Sequence, residues 1–549
     1  MLGISNLVFQ ALCAVFVSFG GYVFLTFFPN LVRSYTSPLS NLPGPARGTF
    51  LHGNFDSELR EPQAVRLLEA WTAKYGRAIR YHSFFWTHKL LTVDLKAMHH
   101  ILSHGNIYRK SEFVRHGLGS VLGQGLLFVE GSDHKRERKV IAQNPAFGPA
   151  QVRKFTETFI EKSLELRDIF LDIASKTVRK DGRARIDVYS WLNKITLDII
   201  GVTGFNYNFD SLHADEKNPN ELYLAITKSL STPRTHLALF QLSVPLLQSI
   251  PTRSLRERQE ALRVINRIGR QLIKEKKAAV LAETVDGTVE KEDIHEHDLL
   301  SLLIRSNIAS DMPESMQMTD EEILAQVPTF LIAGHETTST LLSWTLFALS
   351  TTPHVQTKLR SELRAYPTDR PSIDELNSLE YLDAVIREAL RLYAPVSGTQ
   401  RAAMEDDVIP LEEPIIDKYG RSITSIRVAK GDVVTIPIRI LNRSVDVWGE
   451  DAQEFRPERW QDLPEKVQSM PGVYSNLLSF LAGPHACIGF RFSLAEAKAI
   501  LFTIAREFEF ELALTADEIV RKTNIVGRPH IDGQSGAQLP MLIRPVRDD

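Results

Sequence analysis

The hydrophobic pattern opens on an unbroken apolar run. From Leu7 to Phe28 the chain carries no charged side chain and is rich in Leu, Val, Phe and Ala. About 20 such residues cross a bilayer, so residues 1–33 read as a membrane anchor. A cleaved leader would be shorter and start basic; here no Lys or Arg precedes Arg33. Arg33 and Arg47 follow the span, which places the rest of the chain on the cytosolic side. Residues 34–49 contain Pro43 and Pro45 around Gly44, the composition of a stiff, extended hinge.

Beyond residue 50 the period is mostly helical. Helices are expected at Gln63–Tyr75, from Leu95, across His134 and Arg138, in two or three stretches of Val152–Phe205, at 354–365, at 381–392 and from Phe490 to about Phe508. Alternation predicts short strands at 79–85, 90–93, 407–410, 423–428, 433–437 and within 527–545. The glycine-rich stretch 105–131 and the charged stretch 274–298 read as loops, the latter with His295 and His297 at the surface. The apolar run 237–250, broken by Pro245, reads equally as core or as a second membrane contact. The longest helix starts at Thr319, where Thr319 and Glu322 form a capping-box pattern. It is apolar nearly all round, as a helix crossing the middle of a body should be. Two features interrupt it: Pro328, which should kink it, and the polar turn Ala333-Gly-His-Glu-Thr-Thr338. The fold class is therefore mainly α with a minor β part. No repeat or shift in composition divides residues 50–549, which read as one large domain.

Composition narrows the function by exclusion. A formal net charge of −3 gives no footing for nucleic acid. With two cysteines, Cys13 lying in the apolar run, a disulfide framework is ruled out. His335-Glu336-Thr-Thr-Ser339 lacks the second histidine of a zinc protease. Gly533-Gln-Ser-Gly-Ala537 misses the last glycine of a serine-hydrolase elbow. No dinucleotide-binding fingerprint is present, so reducing equivalents have to come from another protein.

That leaves Cys487, on the loop Phe480-Leu-Ala-Gly-Pro-His-Ala-Cys-Ile-Gly489 at the start of a helix. The helix end is expected to lower its thiol pKa. As a hydrolase nucleophile it would need a basic histidine, and His485 on the same loop is badly placed for that. As a metal ligand it stands alone. A haem iron takes one axial cysteine and keeps its other face open. It needs an apolar slot, donors for two propionates and a polar interruption above the metal.

Five motifs now carry a family resemblance. The cysteine loop resembles F-x-x-G-x-R-x-C-x-G through Phe480, Gly483, Cys487 and Gly489. The polar turn is similar to [AG]-G-x-[DE]-T-[TS] through Ala333, Gly334, Glu336, Thr337 and Thr338. Glu388 and Arg391 match E-x-x-R; Pro457, Glu458, Arg459 and Trp460 match the P-E-R-aromatic motif; His134 and Arg138 match [WH]-x-x-x-R. Together, and in this order, they resemble a microsomal cytochrome P450 of fungal type over nearly the whole chain.

The resemblance implies a haem b cofactor with Cys487 as axial thiolate, Phe480 shielding it and backbone N–H groups near Gly489 tuning it. It implies that Ala333 and Gly334 let the long helix approach the haem, and that Glu336 and Thr337 relay protons. The competing account of Thr337 is a hydroxyl bonded back to its own helix. His134, Arg138 and Arg401 would meet the propionates. Glu388, Arg391 and Arg459 would form a buried structural triad. His485 stands where the family has arginine, which alters one propionate contact. The implied function is oxygen insertion from O2 into a lipophilic small molecule, a terpenoid-like secondary metabolite being favoured. Fatty-acid hydroxylation and haem-thiolate isomerase or dehydratase chemistry are the alternatives. Implied partners are an NADPH-cytochrome reductase, with cytochrome b5 as an optional second donor, and the endoplasmic reticulum membrane, crossed once. Lys135, Arg136 and Lys139 are docking points for an acidic partner, or else ordinary solvated charges.

Overall fold

The computed structural model describes residues 37–546 apart from 51, 55–62, 84–85, 144–146, 177–181, 215–218, 232–251, 283–297, 309–312 and 524, with scattered positions before residue 37. The helices used below are, in chain order, α1 (Gln63–Tyr75), α2 (Leu95–Ser103), α3 (Glu112–Leu122), α4 (Gly131–Gln143), α5 (Pro149–Ser175), α6 (Val188–Phe205), α7 (Glu221–Ser231), α8 (Arg253–Ala282), α9 (Leu299–Ile308), α10 (Asp320–Thr351), α11 (Pro353–Ala365), α12 (Glu380–Tyr393) and α13 (Phe490–Glu507). The fold is mainly helical with small sheets. Among the described residues no helix is long and apolar enough to cross a membrane; much of the expected span Leu7–Phe28 lies outside them, as does the whole apolar run 237–250.

The chain forms two compact units. The first comprises residues 1–113, 234–252 and 400–437. Its five-stranded sheet runs Ala78–His82, His88–Thr92, Val433–Ile436, Thr399–Ala403, Tyr108–Lys110, in which His88–Thr92 pairs antiparallel with Ala78–His82 and parallel with Val433–Ile436. Ile79, Tyr81 and Leu91 form a core against Leu68, Trp71 and Tyr75, the last three from α1. The proline-rich segment is bonded to this unit: Arg80 N donates to Pro43 O at 2.9 Å and Ser37 Oγ to Asp432 Oδ2 at 2.9 Å. A Cβ on Gly44 would sit 1.9 Å from Arg80 O, so glycine is required there for backbone to pass over backbone.

The second unit holds residues 114–233, 253–399 and 438–549. α10 is packed by α6, α8, α12 and α13, and α13 also lies on α5. α10 starts as expected: Glu322 N donates to Thr319 Oγ1 at 3.2 Å, and Thr319 N to Glu322 Oε2 at 2.8 Å. Such a cap contributes about 1 kcal/mol. The helix continues through Pro328, whose ring meets the position a Cβ on Gly123 would occupy. A three-stranded antiparallel sheet places Pro540–Pro545 between Ala184–Asp187 and Phe508–Leu512, and Ile519–Thr523 pairs with Gly527–Ile531 in a hairpin.

Two expected loops are corrected. Within 105–131 the chain forms a strand at Tyr108–Lys110 and α3, despite its glycines. Lys274 to Lys277 are not a surface loop but the last turns of α8. Lys276 there is buried and its Nζ lies 3.0 Å from Asp298 Oδ2. The ion pair turns a charged stretch inward, which hydrophobic periodicity cannot register. His295 and His297 lie outside the described residues.

Candidate active site

The cysteine loop is shaped by two residues with positive φ, Leu481 (54°) and Gly483 (67°). Inside it Ala486 N donates to Gly483 O at 3.1 Å, and Cys487 N to Phe480 O at 2.8 Å. The Phe480 ring is buried, 6.1 Å from the rings of Tyr474 and Phe490. The Cys487 side chain is accessible, although protein surrounds it closely. That burial pushes the thiol pKa up, while the Gly489 N–H bond and the Arg138 charge pull it down. The expected lowering by the helix end is therefore corrected: desolvation outweighs it. A cation on Sγ would reverse the balance, since a coordinating thiol loses its proton. A Cβ on Gly489 would meet nothing within 4 Å, so the chain is open beside that residue.

α4 carries the two predicted donors on one face. His134 is buried and stacks on His485, ring centroids 4.2 Å apart and 21° between planes. His485 Nε2 donates to Glu130 Oε2 at 3.1 Å, both side chains nearly covered. Burial lowers the Arg138 pKa, and Cys487 acts in the opposite sense. The structure thus gathers His134, Arg138, His485 and Cys487, and gives His485 a carboxylate partner that sequence reasoning had not assigned. Arg136 is ion-paired to Glu322. Lys135 and Lys139 are exposed. Arg401 belongs to the first unit, on the strand Thr399–Ala403, where Nη1 donates to Gln400 O at 3.0 Å.

On α10, Ala333, Gly334 and Thr337 are half-buried among buried neighbours. Thr337 Oγ1 donates to Ala333 O at 2.8 Å, the bond back to its own helix. The missing side chain of Gly334 serves helix packing: a Cβ there would lie 2.8 Å from Ile200 Cγ1 of α6. In that direction α6 closes on the helix.

Glu336 is buried and receives Arg528 Nε at 2.5 Å and Tyr189 Oη at 3.2 Å. Burial opposes the Arg528 charge, yet Glu336 and Tyr189 hold its pKa above the ordinary value. Burial and then Glu336 raise the Tyr189 pKa well above the usual phenol. His335 Nδ1 donates to Leu331 O at 2.6 Å, and burial lowers its pKa, so the ring is a neutral donor. Sequence reading missed Arg528 and Tyr189. The available signal was chemical: an acid inside an apolar helix needs a cation, and Arg528 is the lone charge of its strand. Gly527 brings it there, bonding Pro395 O through its N–H (2.9 Å) and Trp344 Nε1 through its carbonyl (2.7 Å).

The triad is formed. Arg391 grips Glu388 with two bonds of 2.7 and 2.9 Å, and Arg459 Nε reaches Glu388 Oε1 at 3.2 Å, all three side chains buried. Trp460 Nε1 donates to Glu388 Oε2 at 3.2 Å, and Arg391 also bonds the carbonyls of Asn442, Ala452 and Glu454. The Arg456 N–H also donates to Glu388 Oε1 at 3.0 Å, so three residues of the meander before the cysteine loop, Arg456, Arg459 and Trp460, meet this carboxylate.

A solvent-accessible thiol with the Gly489 N–H on its sulfur and the Arg138 charge acting on it is a candidate single-thiolate cofactor site. The cytochrome P450 family profile matches residues 43–530. Cytochrome P450 monooxygenase 205 of Postia placenta is 48% identical over 520 residues, 94% of each chain. Cytochrome P450 monooxygenase 128 of the same fungus is 48% identical over 526 residues, again 94% of each. Cytochrome P450 monooxygenase claO of Ampulloclitocybe clavipes is 36% identical over 532 residues, 94% of each. The chain belongs to the cytochrome P450 family. It is a monooxygenase of that family, and the family implies a haem-thiolate.

Proposed function

We propose that this chain inserts one oxygen atom from O2 into a lipophilic small molecule, with electrons from NADPH through a reductase. The observation that carries this reading is the accessible Cys487 thiol, with the Gly489 N–H on its sulfur and Arg138 acting on its charge. The residues fit a haem b: one soft donor, free space beside Gly489, and His134 and Arg138 on one face of α4. Cys487 would hold the iron, Phe480 would shield the sulfur, and His134 and Arg138 would take the propionates, with His485 acting through its stack on His134. A bound haem would supply dioxygen activation, with the Cys487 thiolate favouring O–O cleavage.

The chain's own residues manage the protons. Thr337 spends its hydrogen on Ala333 O, which leaves its oxygen as an acceptor. Glu336 is turned to Arg528 and Tyr189, so it must leave them before a proton passes from it to Thr337. A terpenoid-like secondary metabolite is the favoured substrate class, by analogy with fungal members of the family, with fatty acids as the alternative. The chain is proposed to sit at the endoplasmic reticulum membrane, anchored through Leu7–Phe28.

The reduced carbon monoxide spectrum tests the site: the thiolate signature is expected, and its loss in Cys487→Ser. A signature that survives Cys487→Ser overturns the assignment. NADPH consumption with a reductase, run over terpenoid and fatty-acid panels, tests the reaction. Product formed without NADPH or O2 would point to isomerase or dehydratase chemistry instead.

A further inference from the structure

α13 carries an acid that the chemistry above does not use. Glu496, in the second turn after the cysteine loop, is 0% exposed. Neither of its carboxyl oxygens has a hydrogen-bond partner among the described residues. Among the described residues no charged group acts on it. Burial pushes its pKa well above the carboxylate range, and the Thr338 hydroxyl alone acts in the other direction. A sealed carboxylate without a counter-charge is too costly to persist, and such a group keeps its proton instead.

What surrounds it is informative. Ser493 lies three residues before Glu496, on the same face of α13. Its Oγ is 3.0 Å from Thr338 Oγ1 on α10. Thr338 is fully buried and follows Thr337 directly. The two hydroxyls therefore join the helix that begins at the cysteine loop to the helix that carries the polar turn. With Glu496 as a third member, the hydrogens balance. A protonated Glu496 would supply a hydrogen for Thr338 Oγ1 while the Thr338 O–H turns to Ser493 Oγ, and no charge would be left inside.

We propose that Glu496 is a positioning residue: as a neutral acid it completes a Glu496–Thr338–Ser493 clasp that sets the spacing between the Cys487 loop and the Ala333–Thr338 turn. The consequence for function rests on the reading of Cys487 as a haem ligand; the protonation state of Glu496 does not.

Two measurements on the full-length protein decide it. Infrared difference spectra of wild type against Glu496→Gln at neutral pH should show a protonated carboxylic-acid carbonyl band that the variant lacks. In the holoenzyme, haem loss to an excess of a haem scavenger is followed. Glu496→Gln, which keeps a donor and an acceptor, should match wild type. Glu496→Leu and Thr338→Val should each lose haem about five-fold faster, the scale of one buried hydrogen bond. The double variant should be no faster than the worse single one, because both remove the same clasp. Absence of the carboxylic-acid band, or wild-type haem loss in both Glu496→Leu and Thr338→Val, overturns the proposal. A wild type without the thiolate signature would overturn the site reading and the clasp's haem-positioning role, while the infrared band would still report a neutral Glu496.

Discussion

Arg528 Nε lies 2.5 Å from Glu336 Oε1, across 192 residues of sequence. The guanidinium comes from a C-terminal strand and the carboxylate from the middle of α10, with side-chain exposures of 13% and 4%. At that burial, removing one partner leaves the other uncompensated. Arg528→Met is expected to destabilise the protein by about 3 kcal/mol, read by denaturant unfolding. Arg528→Met combined with Glu336→Gln should recover most of the loss. Additive losses would show that the two do not act as a pair.

Glu388 is the shared acceptor of Arg391, Arg459, Trp460 and the Arg456 N–H. Glu388→Gln removes the charge that two buried guanidiniums need. A loss of about 3–5 kcal/mol is expected, large against the whole stability of a domain. Recovery of soluble, haem-loaded protein should collapse. A variant with wild-type yield and unfolding midpoint would mean the meander is held elsewhere.

Glu137 provides a pH test. Burial pushes its pKa from 4.5 up to about 7, with the Gln326 amide, 3.0 Å from Oε2, acting against the rise. The folded state therefore binds more protons than the unfolded chain between these values. Stability falls as pH rises through that window and levels off above about 7. Glu137→Gln can still accept from Gln326 and should abolish the slope. Melting temperatures of both proteins across the window check this; parallel curves would refute it.

His485 links Glu130 to His134. His485→Ala removes a donor from Glu130 and the stacked ring from His134, one of the two proposed propionate donors on α4. Haem retention should weaken about ten-fold, equivalent to about 1.4 kcal/mol. Adding Glu130→Gln should restore part of it. Unchanged retention would show that His134 is held without its partner.

Legibility in the sequence followed locality. α10 was readable to its first residue because Thr319 and Glu322 cap it with groups three positions apart. α4 and the E-x-x-R helix were readable for the same reason. The end of α8 was not, because Lys276 is paired with Asp298 across a stretch read as loop. Helix α3 was hidden by glycines whose cost is met by packing: a Cβ on Gly119 would lie 2.7 Å from Phe128.

The order of motifs along the chain determined the family, the thiol that would hold the cofactor and the buried charge triad, since each is spelled by residue types at short, fixed spacings. The tertiary structure alone decided where the side chains turn. It gave Glu336 to Arg528 and Tyr189, His485 to Glu130, Gly334 to Ile200, and left Glu496 facing Thr338 without a charge to meet it. These pairings join positions far apart in the chain, and their energies depend on burial and partner. Neither is encoded in spacing; both exist only once the helices have packed.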